Sequence, residues 1–234
     1  MSEETQTSLR LTRRGLSAAG KSLGLAPGDQ LVAINGKTFT GDAQSLNARF
    51  NKAGENGLAL SFRRGERDFT VLAQHPNLGM WELAPLEKPY AGDRVDPDLL
   101  DNWQVLSRAD GCYDLVRMRP SVLATVLPSL WLMQMRLWGA MAAITGLILV
   151  LTAVWWPMGI LANLMGGYYL RIGGNDMIRH DRALRGLFPK SVIAARSEVQ
   201  AHRLYQETNP GAHFLFGPEK EAEREAEDEV SVDA

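Results

Sequence analysis

GLAPGDQLVAING, residues 24–36, is a bend, a short apolar strand and a second bend, and the chain on either side takes its reading from it. Gly24 and Gly28 permit a tight backbone path, Pro27 fixes a turn, and Asp29 is placed to accept amide hydrogen bonds inside the bend. Leu31, Val32 and Ile34 form the strand, and Asn35-Gly36 ends it with a dipeptide suited to positive φ. Upstream, SLRLTR alternates Leu9 and Leu11 as a half-buried strand does. Downstream, GDAQSLNARFNKAG reads as a helix: Asp42 caps it, Leu46 and Phe50 share a face four residues apart, and Gly54 stops it. GLALSFRRGERDFTVLA then reads as a hairpin, with Leu58, Leu60 and Phe62 on one arm, Phe69 and Val71 on the other, and Arg64-Gly65-Glu66 in the turn.

Strand, bend, strand, helix and hairpin in this order resemble a bacterial PDZ-like domain over residues 8–73. The motif that carries the likeness is Gly24-Leu25, two variable residues, Gly28-Asp29, an apolar strand and Asn35-Gly36. The resemblance implies that a peptide adds as an extra strand between the strand Ser8 to Arg13 and the helix Asp42 to Lys52, with Leu9, Leu11, Leu46 and Phe50 lining the groove. Seven residues precede Ser8, so the upstream strand and carboxylate-binding loop of such domains are not expected. An internal segment of another protein is then a better match to the groove than a free C-terminus.

Residues 74–102 are rich in proline and acidic residues and read as a surface linker, and residues 103–118 as a β-hairpin. The composition changes sharply after that. Between Leu137 and Leu170 there is no Asp, Glu, Lys or Arg. A helix needs about 20 apolar residues to cross a hydrocarbon core of about 30 Å. This run predicts a membrane segment within residues 119–172, either one span or a transmembrane hairpin with arms 137–154 and 158–172 reversing at Trp155 to Pro157. Basic residues flank both sides, Arg117, Arg119 and Arg136 before it and Arg171, Arg179, Arg182, Arg185 and Lys190 after it, which favours the hairpin with both termini cytoplasmic in an inner membrane. Trp131, Trp138, Trp155, Trp156, Tyr168 and Tyr169 are expected as membrane-interface anchors, and Arg171, Arg179, Arg182 and Arg185 as lipid headgroup contacts.

Residues 173–208 read as a basic helix capped by Asn175 and stopped by Gly186, a strand, and a second helix opened by the Ser197/Gln200 capping box. Residues 209–234 form a tail in which EKEAEREAEDE, residues 219–229, reads as a solvated acidic stretch. DLVRMRPSVLATVLPSLWLMQMRLWGAM together with SVIAARSEVQAHRLYQ resembles, over about residues 113–206, a family of small bacterial two-span membrane proteins of unknown function. That resemblance implies a hairpin and no activity.

The expected fold class is therefore α+β: a small PDZ-like β-rich domain with one main helix, a helical transmembrane hairpin and short C-terminal strand and helix elements. A net charge of −2 gives no electrostatic reason to expect nucleic acid. One cysteine, Cys112, excludes an intrachain disulfide. His75, His180, His202 and His213 are scattered without carboxylate or cysteine at metal-ligand spacing, and Ser17 and Ser22 have no nearby histidine to activate them, so neither catalysis nor a cofactor is expected. The expected function is a non-enzymatic membrane-anchored adaptor or accessory subunit of an inner-membrane protein complex. The alternative is a regulator of a membrane protease or envelope-assembly machine that binds peptide in the PDZ-like groove. The partners that follow are a membrane protein complex or a peptide segment of another protein, and the lipid bilayer.

Overall fold

A computed structural model describes residues 6–13, 15–54, 57–119 and 121–217. Among them are two β-sheets and seven α-helices. The first sheet holds β1 (Thr7–Leu11), β2 (Gln30–Ile34), β4 (Leu58–Arg64), β5 (Arg67–Ala73) and β6 (Trp81–Pro85) in the order β5-β4-β2-β1-β6, with the short β3 (Lys37–Thr38) paired to β2. The pairings along this path are antiparallel. Two helices cover the sheet, α1 (Ala18–Ser22) and α2 (Ala43–Ala53). Asp42 caps α2 by accepting from the Ser45 amide at 2.9 Å, and Gly54 ends it at φ 64°. β2 is buried along its whole length at the centre of the sheet, which is why Leu31, Val32 and Ile34 follow one another without a polar partner face.

The bend before β2 is held from inside. Asp29 is fully buried, accepts from the Ala26 amide at 2.7 Å, and takes two parallel bonds at 2.7 Å from Nε and Nη2 of Arg64. Arg64 also donates to the Gly24 carbonyl and lies over the Phe69 ring. A two-bond fork between guanidinium and carboxylate fixes geometry as well as charge, so the bend is tied to the end of β4 thirty-five residues away.

The second sheet joins parts of the chain that are far apart in sequence. β7 (Asp101–Ser107), β8 (Cys112–Arg117), β9 (Phe188–Ala195) and β10 (His213–Phe214) run in the order β10-β8-β7-β9. Helix α7 (Glu198–Thr208) lies on this sheet, capped by Ser197, whose hydroxyl accepts from the Gln200 amide at 3.3 Å, while the Gln200 side chain accepts from the Arg196 amide. Tyr113, His202, Tyr205 and Phe214 make an aromatic cluster between the sheet and the helix, with the Tyr113 hydroxyl 2.9 Å from His202 Nδ1. Cys112, at the start of β8, is buried, and that burial pushes its thiol pKa up.

The two sheets are packed together. Val192 of β9 belongs to the core of the first sheet, and the Gly24 backbone approaches Ser191 and Val192 so closely that a Cβ at Gly24 would lie 3.1 Å from the Val192 nitrogen. The Asn102 side chain accepts from the Leu72 amide at 2.8 Å and donates to the Leu72 carbonyl at 2.7 Å. It thus supplies to the open edge of β5 the two bonds a neighbouring strand would make.

Between β8 and β9 the chain forms α3 (Val122–Val126), α4 (Pro128–Gln134), α5 (Trp138–Val154) and α6 (Trp156–Leu184). The chain reverses at Trp155, which alone separates α5 from α6 in an extended conformation at φ −162°. Ile144 faces Gly166 and Thr152 faces Gly159, the falling register of an antiparallel helical pair.

Two sequence expectations are corrected here. No helix among the described residues is long and apolar enough to cross a membrane. Helix α5 has 17 residues, or about 26 Å at 1.5 Å per residue, short of a core of about 30 Å. Helix α6 has 29 residues, yet Arg171, Asp176, Arg179, Asp181 and Arg182 occupy its second half. The transmembrane hairpin with arms 137–154 and 158–172, and the multi-span inner-membrane localisation deduced from it, are therefore not carried by the structure. Asn175 also does not start a new helix. α6 continues through Gly173-Gly174-Asn175, because Gly174 is where the Trp131 indole packs, its nearest carbon 2.7 Å from where a Cβ would stand. The Asn175 side chain instead donates to the Met118 carbonyl at 2.9 Å. The acidic stretch 219–229 lies outside the described residues.

Candidate docking surface

The strand and helix expected to flank a peptide groove are both present, but the strand's outer edge is taken. β6, which the sequence reads as linker, pairs with β1 from Thr7↔Pro85 to Leu11↔Trp81. Gln30 of β2 reaches across β1 and donates from Nε2 to the Ser8 hydroxyl at 2.8 Å and the Pro85 carbonyl at 2.9 Å, locking β6 in place. Leu9, Leu11, Leu46 and Phe50 all lie in one buried cluster, so these four side chains are brought together as core, not as the wall of an open groove. The sheet's outer edge at this side is now β6, where Glu82 and Leu83 are exposed and Pro85 has no amide to donate. A short strand carrying a charge and a proline is a poor template for strand addition.

The α5–α6 hairpin has the opposite character. No residue of α5 is buried. Leu147, Leu149, Val150 and Val154 are each more than half exposed, as are Ile160, Leu161, Leu164 and Met165 on α6. Trp155 and Trp156 stand exposed at the tip; Trp138, Tyr168 and Tyr169 stand exposed toward the base. Trp131 does not share this placement: it is buried in the core formed by α4, α6 and β8, and its expected role as an interface anchor is corrected. Midway along its length the hairpin is tied to α3 and α4 by polar bonds, Thr145 Oγ1 to Ser129 Oγ at 2.8 Å and Asn163 Nδ2 to the Val126 carbonyl at 3.2 Å.

Along the outward face of α5, Gly139 and Gly146 are seven residues apart, with Ala142 and Ala143 exposed between them. A Cβ placed on either glycine would meet nothing within 4 Å. These glycines therefore serve no packing within the described chain. Small residues at this spacing leave a shallow track in which the backbone of another helix can come close.

The four arginines expected at lipid headgroups separate in the structure. Arg171 is exposed. Arg179 donates from Nε to Gln104 Oε1 at 2.7 Å and pairs with Asp176, and Arg185 pairs with Asp181. Arg182 is only 2% exposed. Its Nε lies 2.6 Å from Asp114 Oδ2, its Nη1 pairs with Asp181, and its Nη2 donates to the Met135 carbonyl at 3.0 Å. Asp114 is itself buried in β8. This pair fastens α6 to the second sheet and corrects the headgroup role expected of Arg182. The sequence carries a trace of it: an aspartate inside the apolar strand Cys112-Tyr113-Asp114-Leu115-Val116 needs a buried cation.

At the β7–β8 turn Asp110 is exposed, yet its carboxyl is held down to about 2, first by hydrogen bonds from Arg108 and then by the Cys112 amide. Its folded pKa lies below the usual carboxylate value, so the turn gains stability that is complete above about pH 4 and is lost as the pH falls through about 2. A carboxyl titration followed by NMR is expected to place Asp110 near 2 in the native chain. In an Arg108→Ala variant the midpoint is expected to move up toward the ordinary range, and an unmoved midpoint contradicts the assignment.

Among the described residues no group of three or more His, Cys, Asp or Glu side chains is placed to hold a metal ion. Comparison with protein-family models, with curated proteins and with solved structures finds no match to this chain.

Proposed function

We propose that this protein is a non-enzymatic adaptor or accessory subunit that joins a protein complex through the α5–α6 hairpin, with the second sheet, packed on the PDZ-like first unit, as the body that holds the hairpin out. One observation carries the reading: a helical pair without charge from Leu137 to Leu170 exposes apolar side chains on α5 and along the first half of α6. Patches beyond a few hundred Å² mark interaction sites, and this surface is apolar on more than one side. The partner that fits is an apolar helix, laid along the Gly139–Gly146 track with its side chains against Leu147, Val150 and Val154. Docking then rests on buried apolar area of about 25 cal/mol per Å², with the aromatic tip as its largest anchors.

The peptide-reading alternative asks β6 to leave β1 first, which breaks both bonds of Gln30 to Ser8 and Pro85. Docking through the hairpin asks for no rearrangement.

Copurification of the full chain from native extracts, compared with a Leu147→Asp/Val150→Asp variant, tests the proposal. Each aspartate buried without a partner costs several kcal/mol at an apolar interface. The expected result is a stoichiometric protein partner retained by the native chain and lost by the variant, while circular dichroism shows both sheets intact. The same partner on both chains, or none on either, overturns the reading.

A further inference from the structure

A cavity of about 360 Å³ lies where the second sheet, the α4–α5 junction, the charged half of α6 and the segment 213–217 meet. That volume is within the range of small-molecule sites. Four arginines line it, Arg117, Arg119, Arg136 and Arg182, against the two carboxylates of Asp114 and Glu198. Arg182 is neutralised by Asp114 and Asp181, and Arg117 by Asp101. Arg119 stands 3.8 Å from the same Asp101 and is mostly exposed. Among the described residues Arg136 has no carboxylate partner. Counted with Asp101 and Asp181 the four arginines face four carboxylates, so what the cavity offers an anion is the Arg136 guanidinium and the loosely held Arg119, not a net excess of charge.

Arg136 is also held in an unusual way. It is one of two non-glycine residues at positive φ among the described residues, at 57°, in the tight link between α4 and α5. It is the left-handed residue that ends α4, with the Leu137 amide donating to the Leu132 carbonyl at 2.9 Å and the Arg136 amide to the Met133 carbonyl at 3.0 Å. The link sets the Arg136 guanidinium 4.3 Å from the centroid of the Phe216 ring, and Arg182 lies 4.7 Å from the same centroid. Arg182 already holds Asp114 and Asp181, so an anion entering the cavity meets Arg136 as the guanidinium without a carboxylate among the described residues. Trp103, Trp131, Ile178 and Phe214 supply apolar wall to the same cavity.

We propose that this cavity binds a small organic anion with an aromatic body, a phosphate monoester or a carboxylate, whose charged group sits on Arg136 and Arg119 and whose ring lies along Phe216. Guanidinium groups recognise both anions through paired N–H bonds, and the aromatic wall selects the ring. This site is separate from the hairpin surface, and its occupancy does not depend on the docking proposal.

Phenyl phosphate titrated into the full chain and followed by calorimetry tests it. The expected result is saturable binding that weakens about tenfold or more in Arg136→Met and in Arg119→Met, since each removes a charge-assisted contact. Inorganic phosphate is expected to bind about tenfold more weakly than phenyl phosphate, because it leaves the ring site empty. Arg203→Met, on α7 and outside the cavity walls, is expected to bind as the native chain does. Because Arg119 is exposed, its variant keeps the test open if Arg136→Met fails to fold. No saturable binding at millimolar phenyl phosphate, equal affinity for inorganic phosphate, or unchanged affinity in both Arg136→Met and Arg119→Met overturns the proposal.

Discussion

Arg182→Met is expected to destabilise the chain by about 3–5 kcal/mol, the cost of leaving a buried ion uncompensated. Arg182 and Asp114 are both buried, and their contact at 2.6 Å replaces the water each has lost. Without the guanidinium, Asp114 keeps, among the described residues, the Leu115 amide at 2.9 Å. The Met135 carbonyl loses its donor as well, so the α4–α5 junction loosens along with the joint between α6 and β8. Replacing both partners by apolar groups removes the stranded charge, and buried pairs exchanged in this way lose little or gain stability. Asp114→Leu/Arg182→Met is therefore expected to recover most of the loss. Urea unfolding of the two single variants and the double variant measures the coupling. A cost below about 1 kcal/mol for Arg182→Met is the size seen for exposed pairs and contradicts a desolvated bridge.

Gly36→Ala is expected to cost about 2–5 kcal/mol, combining left-handed backbone strain of about 1–2 kcal/mol with overpacking of about 1–3 kcal/mol. Gly36 sits at φ 73°, and a Cβ there collides with the Asp93 carbonyl and the Arg94 backbone. That linker is held to the bend by the Val95 amide donating to the Asn35 carbonyl at 3.3 Å, so it cannot withdraw without losing the bond. Gly28 supplies the control. It also lies at positive φ, 94°, but a Cβ there meets nothing within 4 Å. Gly28→Ala should show the backbone cost alone, about 1–2 kcal/mol, and the difference between the two variants is the clash. Equal losses contradict the close approach of the linker.

What was legible in the sequence is local. The Asn35-Gly36 turn, the Asp42 and Ser197 caps, the β4–β5 hairpin and the chain reversal at Trp155 each depend on residues a few positions apart, where turn chemistry and periodicity decide the outcome. The missed features depend on partners far away. β6 was hidden because a proline-rich stretch, HPNLGMWELAP, becomes a strand only beside β1. β9 pairs with β7 across more than eighty residues, from Ser107↔Phe188 to Asp101↔Ala195, and Asp114 finds Arg182 across sixty-eight. Asn175 reads as the cap of a new helix, whereas α6 runs on through it, with the Trp131 ring packed at Gly174. The same long-range blindness made groove residues of Leu9, Leu11, Leu46 and Phe50, since an amphipathic face cannot declare whether core or ligand will cover it. The apolar run predicts a membrane segment from composition alone, whereas the lengths and charges of its helices, set by where the chain turns, leave no helix among the described residues able to span.

The claim that the α5–α6 hairpin is a protein-docking surface is tested most directly by photo-crosslinking in living cells, with a benzophenone amino acid in place of Leu147. Leu147 is 56% exposed on α5, beside the Gly139–Gly146 track, and its side chain is free to carry the probe. The account predicts an adduct with one discrete polypeptide at Leu147, reduced when Gly146→Leu fills the track and absent when the probe stands at Arg203 on α7. Adducts with lipid alone, or an even scatter of proteins that Gly146→Leu leaves unchanged, contradict it.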